Sequence, residues 1–177
     1  LQFSRGELLG DQFLYNEGGF GGAITMDTPR SLEIRGAWFH GNEAQYGGAI
    51  GMWGPAPPAP VLRNNRFFSN TAIENGGAIA VAGFTATLEV VNNSFAGNSG
   101  PTGGADIHVD AGASPSVFVA NNVMAGGVGT SALHFDNQDS GVALSNTAWD
   151  VIGGVGFAGI ADGGDNVERD PRFVDYW

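Results

Sequence analysis

The chain has 177 residues, enough for one cored domain and few for two. Lysine is absent, and seven arginines face 18 carboxylates. The formal charge of −11 argues against a nucleic-acid partner, whose phosphates need a cationic surface. The lack of cysteine removes disulfides, thiol catalysis and cysteine-based zinc sites, and no apolar run approaches the roughly 18 residues of a membrane-spanning helix.

Read along the chain, short apolar segments with period-two alternation recur, and none has helical periodicity. Leu8 enters midway through a first unit, followed by Phe13-Leu-Tyr-Asn16 and Gly21-Gly22-Ala23-Ile24. The second unit runs through Leu32 and Ile34 to Phe39-His-Gly-Asn42 and Gly47-Gly48-Ala49-Ile50. The third holds Val61 or Leu62, Phe67-Phe-Ser-Asn70 and Gly76-Gly77-Ala78-Ile79. The fourth holds Leu88, Val90, Phe95-Ala-Gly-Asn98 and a lengthened Gly103-Gly104-Ala105-Asp106-Ile107. Phe13, Phe39, Phe67 and Phe95 are therefore 26, 28 and 28 residues apart. Two degenerate units follow. One has Val117, Val119 and Met124 at the aromatic position; the other has Val142, Leu144 and Trp149. Residues 162–177 read as a closing turn, Asp162 to Asn166, and an aromatic tail.

A unit of 26 to 29 residues accommodates three short strands and three turns, at about 3.3 Å per strand residue. Stacking such units about 4.8 Å apart gives an all-β fold, a right-handed parallel β-helix of about six coils forming one domain over residues 1–177. Identical residues then stack. Ile24, Ile50, Ile79 and Ile107 form an inward ladder, joined two residues on by Met26, Met52, Val81 and Val109. Phe13, Phe39, Phe67 and Phe95 form an aromatic ladder. Asn16, Asn42, Asn70 and Asn98 form an amide ladder at a turn. Loops at Thr28–Arg30, Pro55–Pro60, Gly83–Thr87, Gly112–Ser116 and Asn137–Gly141 all fall between the same two strands, on one edge, where solenoids place binding surfaces. No N-terminal cap is evident, and no start methionine or signal peptide is present. The expectation is an excerpted or processed chain, with further coils or a partner protein at its N-terminal end.

The candidate chemistry sits on adjacent coils. In His108-Val-Asp110 and His134-Phe-Asp136, alternation sends Val109 and Phe135 inward and the four polar side chains outward. Two imidazoles and two carboxylates there suit a divalent cation or a general acid and base. The competing reading is that exposed ladders favour polar residues that steady one another. No cofactor is otherwise called for and no catalytic residue is assigned. Gly154-Val-Gly156-Phe-Ala-Gly159 matches a dinucleotide fingerprint by letter, but no helix follows it. Asn92-Asn93-Ser94 is a glycosylation sequon within a repeated Asn-Asn turn.

The Phe-x-x-Asn and Gly-Gly-Ala-Ile pair resembles the repeat of the polymorphic outer-membrane proteins, which are autotransporter adhesins. It is also similar to the repeat of bacterial secreted right-handed β-helix proteins. Asp170-Pro-Arg-Phe-Val-Asp175 is similar to a segment that follows the last coil in the latter. The resemblance spans roughly residues 8 to 175 and implies an extracellular or cell-surface, non-catalytic structural or adhesive role, with a surface glycan or protein as partner. The alternative is a carbohydrate-binding or carbohydrate-cleaving β-helix of the polysaccharide lyase or glycoside hydrolase type, acting through His108, Asp110, His134 and Asp136.

Overall fold

Alternating apolar residues, interrupted every few positions by residues suited to a left-handed backbone, fold this chain into stacked coils. In the computed structural model, residues 6–27, 32–54, 60–83, 87–110, 117–137, 141–159, 161–162 and 164–169 are described; of Trp149, Ala161 and Asp162 only the backbone is. All strand pairing among the described residues is parallel, and the architecture is the expected right-handed parallel β-helix.

The first sheet stacks Gly6–Leu9, Leu32–Arg35, Val61–Arg63, Leu88–Val91, Val117–Ala120, Gly141–Leu144 and Ala161–Asp162. The second stacks Gln12–Leu14, Trp38–His40, Arg66–Phe68, Ser94–Ala96, Val123–Ala125, Thr147–Trp149 and Val167–Glu168. The third has two arms. One carries Glu17–Phe20, Glu43–Tyr46 and Thr71–Ala72; the other carries Ile24–Asp27, Ile50–Trp53 and Ile79–Ala82. The long strand Ser99–Val109 belongs to both arms and pairs onward with Val128–Phe135, which pairs with Val155–Ala158.

The interior is filled by like residues in register. The rings of Phe13, Phe39, Phe67 and Phe95 stack 4.7 to 4.8 Å apart and within 7° of parallel. Ile24, Ile50, Ile79 and Ile107 pair in sequence, as do Met26, Met52, Val81 and Val109, and all eight are buried. Burying each such side chain contributes about 1.5–3 kcal/mol.

Amide ladders hold two corners. Each corner pairs a residue of positive φ with a buried asparagine. Ser69 precedes Asn70 at one corner; Asn64, Asn92, Asn121 and Ser145 precede Asn65, Asn93, Asn122 and Asn146 at the other. In the expected ladder, Asn42 Nδ2 donates to Asn70 Oδ1 at 2.8 Å and back to the Phe13 carbonyl at 2.9 Å, and its backbone N–H also donates to Asn70 Oδ1. Both amide hydrogens and both oxygen lone pairs are thereby used, which is the condition for burying an amide. The second ladder, Asn65, Asn93, Asn122, Asn146 and Asn166, repeats this pattern; the sequence shows it only as repeated Asn-Asn turns. Asn166 adds one more rung to this ladder, and the tail 170–177 lies outside the described residues.

The degenerate sixth unit corrects the expected register by one residue. Met124 pairs with Ala148, so Ala148 takes the aromatic position and Trp149 pairs with Ala125. One strand earlier, Val119 pairs with Ala143, which is buried, while Val142 is exposed and Leu144 partly so. The physical reason is coil length. The asparagine spacing narrows to 24 and then 20 residues, so the cross-section shrinks and small Gly141 and Ala143 fit where Val and Leu were expected. Of the loop edge, residues 28–31, 55–59, 84–86, 111–116 and 138–140 lie outside the described residues, as do residues 1–5.

Candidate functional site

The outward row of the third sheet's second arm runs Thr25, Gly51, Ala80, His108, His134 and Ala158, each paired with the next. Small residues dominate this row because the neighbouring arm leans over it. A Cβ on Gly51 would come within 2.3 Å of the Phe20 ring, and one on Gly103 within 2.5 Å of His108 Nδ1. The bend between the arms occurs at Gly21, Gly47 and Gly76, which have positive φ; a Cβ on Gly76 would strike the Ile79 carbonyl at 2.2 Å. His108 and His134 therefore stand in a row that otherwise holds small residues, with Gly103 lying against the His108 ring.

Three of the four expected residues come together. The rings of His108 and His134 stack at 5.3 Å, 19° from parallel. Asp136 Oδ1 lies 3.1 Å from His134 Nε2, and its Oδ2 lies 3.6 Å from His108 Nε2. The donor atoms of His108, His134 and Asp136 all lie within 4.8 Å of one another. Asp110 is not part of that group. Its negative charge acts on His108 and on the Tyr46 hydroxyl from nearby. The expectation of an outward-facing patch needs one correction: His108 points away from the core yet is only 5% exposed, because Asn75 and the Gly103 segment cover it. The side chains of His134 and Asp136 remain 25% and 35% exposed.

Burial holds the His108 imidazole below its ordinary pKa and so favours the neutral ring. The Asp136 carboxylate opposes this, His134 adds to it, and Asp110 opposes it weakly. On the neighbouring arm, Tyr46 donates its hydroxyl to Glu74 at 2.7 Å, which raises the tyrosine and lowers the glutamate.

Asp106 is the feature that residue spacing left unplaced. It is the extra residue of the fourth Gly-Gly-Ala-Ile copy, and Ala78 N–H donates to its carbonyl while Ile79 pairs with Ile107. Its side chain is fully buried. Asn98 Nδ2 donates to its Oδ1 at 2.7 Å, and its Oδ2 has no partner. Desolvation pushes this carboxyl up to about 7 against the partial offset of the Asn98 bond. A separate cavity of about 240 Å³ lies between Asp150, Val151, Val155 and Glu168, where Glu168 Oε1 accepts from Gly156 N–H at 3.0 Å.

No family model, curated protein or solved structure matches this chain. Among the described residues no helix is long and apolar enough to cross a membrane.

Proposed function

We propose that this chain is a non-catalytic structural or adhesive β-helical segment of a bacterial exported or cell-surface protein. The observation that carries the reading is the laddered interior, in which isoleucine, phenylalanine and asparagine residues stack in register through successive coils. Such a stack is stiff and quasi-one-dimensional, suited to holding edge loops away from an attachment point. The likeness of the Phe-x-x-Asn and Gly-Gly-Ala-Ile repeat to autotransporter adhesin repeats supports the exported, surface-associated location. Its partner under this reading is a surface glycan or protein.

A second reading, a carbohydrate-binding or carbohydrate-cleaving surface, is favoured by the convergence of His108, His134 and Asp136. One assay separates the two. The purified chain is incubated with neutral and uronate-containing polysaccharides, and reducing ends and unsaturated products are followed. The structural reading expects no release. Release that disappears in His134→Ala and Asp136→Asn replaces it with the second reading. Fractionation of producing cells tests location; a purely cytoplasmic protein ends the surface assignment.

A further inference from the structure

We infer that His108, His134 and Asp136 form a three-ligand site for a transition-metal ion of the zinc class, with one coordination position left open on the solvent side. The inference is independent of the rod function. Its first support is spacing. Ligands about 2.0–2.1 Å from a tetrahedral ion stand about 3.4 Å from one another. The two nitrogen-to-carboxylate separations are 3.1 and 3.6 Å, and all three donors fall within 4.8 Å. Only small side-chain rotations separate this arrangement from a coordination sphere.

The second support is the state of His108. It is 5% exposed and its Nδ1 has no hydrogen-bond partner. Its Nε2 has only long contacts, Asn75 Nδ2 at 3.4 Å and Asp136 Oδ2 at 3.6 Å. An Nε2 lone pair held only by long contacts is available to a metal ion, and ligation there would keep the ring proton on Nδ1. The third support is the ladder, which sets the two histidines on adjacent coils, facing the same way, without any loop to order first. Two imidazoles with one carboxylate select zinc, cobalt, nickel or copper over calcium and magnesium, which take oxygen ligands. The partly exposed side of His134 and Asp136 is where a water or a ligand atom would complete the sphere.

The test uses the full chain after chelator treatment. Cobalt(II) is titrated with visible absorption as the readout, and zinc(II) or calcium(II) is added in thermal unfolding. A single cobalt equivalent should give ligand-field bands of a nitrogen- and oxygen-bound ion. Zinc should raise the unfolding temperature where equal calcium does not. His134→Gln and Asp136→Asn should each weaken binding by at least about 10-fold. His40→Gln, on a different sheet, should leave it unchanged. His108→Ala is avoided as the primary variant because its side chain is buried, and circular dichroism confirms that the other variants fold. Absence of cobalt bands, binding that survives both substitutions, or calcium acting as well as zinc would each overturn the site. The rod assignment would stand in all three cases.

Discussion

Asp106 has no counterpart in the other Gly-Gly-Ala-Ile copies, and its position explains why it is tolerated. On the next coil the asparagine ladder meets Gly127, which offers no amide. The Asp106 carboxyl fills the gap and accepts the Asn98 bond. A Cβ on Gly127 would meet Ala105 Cβ at 2.7 Å, so the insertion and the glycine fit one another. Deleting Asp106 or introducing Gly127→Asn should each destabilise, while the two together restore an ordinary rung. A double-mutant cycle by urea unfolding should show about 1–3 kcal/mol of favourable coupling. The carboxyl also sets a pH dependence. Its folded pKa of about 7 lies above the ordinary 3.8, so the folded state holds a proton that the unfolded chain releases. The stability it contributes is full below about pH 4 and is lost as pH rises through about 7. Asp106→Asn should remove that slope, raising the unfolding temperature at pH 8 by the equivalent of roughly 2–4 kcal/mol and little at pH 4. An unchanged pH profile would mean that the carboxyl is hydrated. His108, with its pKa lowered by burial, contributes the opposite slope: its contribution is full above the unfolded value of 6.5 and is lost as pH falls from there through the lowered folded pKa.

At the scale of the element, a corner asparagine is bonded across three coils, so its loss is felt in all of them. Asn70→Ala would leave the Phe39 carbonyl without this donor and the Asn42 amide and N–H without their acceptor. The expected cost is about 2–4 kcal/mol by chemical denaturation. Asn70→Asp should cost more at pH 7 than at pH 4, because a carboxylate there is fully buried and has no hydrogen to donate. Phe67→Ala, between two stacked rings, should cost about 3–5 kcal/mol. The repeat made these positions readable: a phenylalanine three residues before an asparagine, recurring in four coils, allows few other structures. The second amide ladder was present in the letters as Asn-Asn pairs, but a turn and a buried ladder use the same dipeptide. The hydrogen bonds to the next coil distinguish them.

Across the whole molecule each coil touches its neighbours, so stability is the sum of coil terms and interface terms. The central coils are paired with a coil on both sides, while the strands Ala161–Asp162 and Val167–Glu168 are two residues long. Native-state hydrogen exchange should therefore be slowest for amides of Leu62, Phe67, Val90 and Phe95 and faster towards Val167 and Glu168. Uniform protection along the chain would show a single cooperative unit. The net charge of −11 adds self-repulsion, so added sodium chloride should raise the unfolding temperature modestly and independently of any zinc effect.

The sequence by itself determined the coil, the three inward ladders and the side of the strand on which His108 and His134 lie. A period-two code repeated every 26 to 29 residues makes each copy vote for the same register. Where the code decays the vote is lost, and the placement of Ala148 over Trp149 and of Ala143 over Val142 follows from the narrowing cross-section. Tertiary structure alone decided the rest: that His108 is covered by a neighbouring arm, that Asp136 and not Asp110 joins the two imidazoles, and that Asp106 enters the core to replace a missing amide. These depend on distances between residues on different arms and coils, set by bends at glycines and by one inserted residue, and alternation along a single strand carries no information about either.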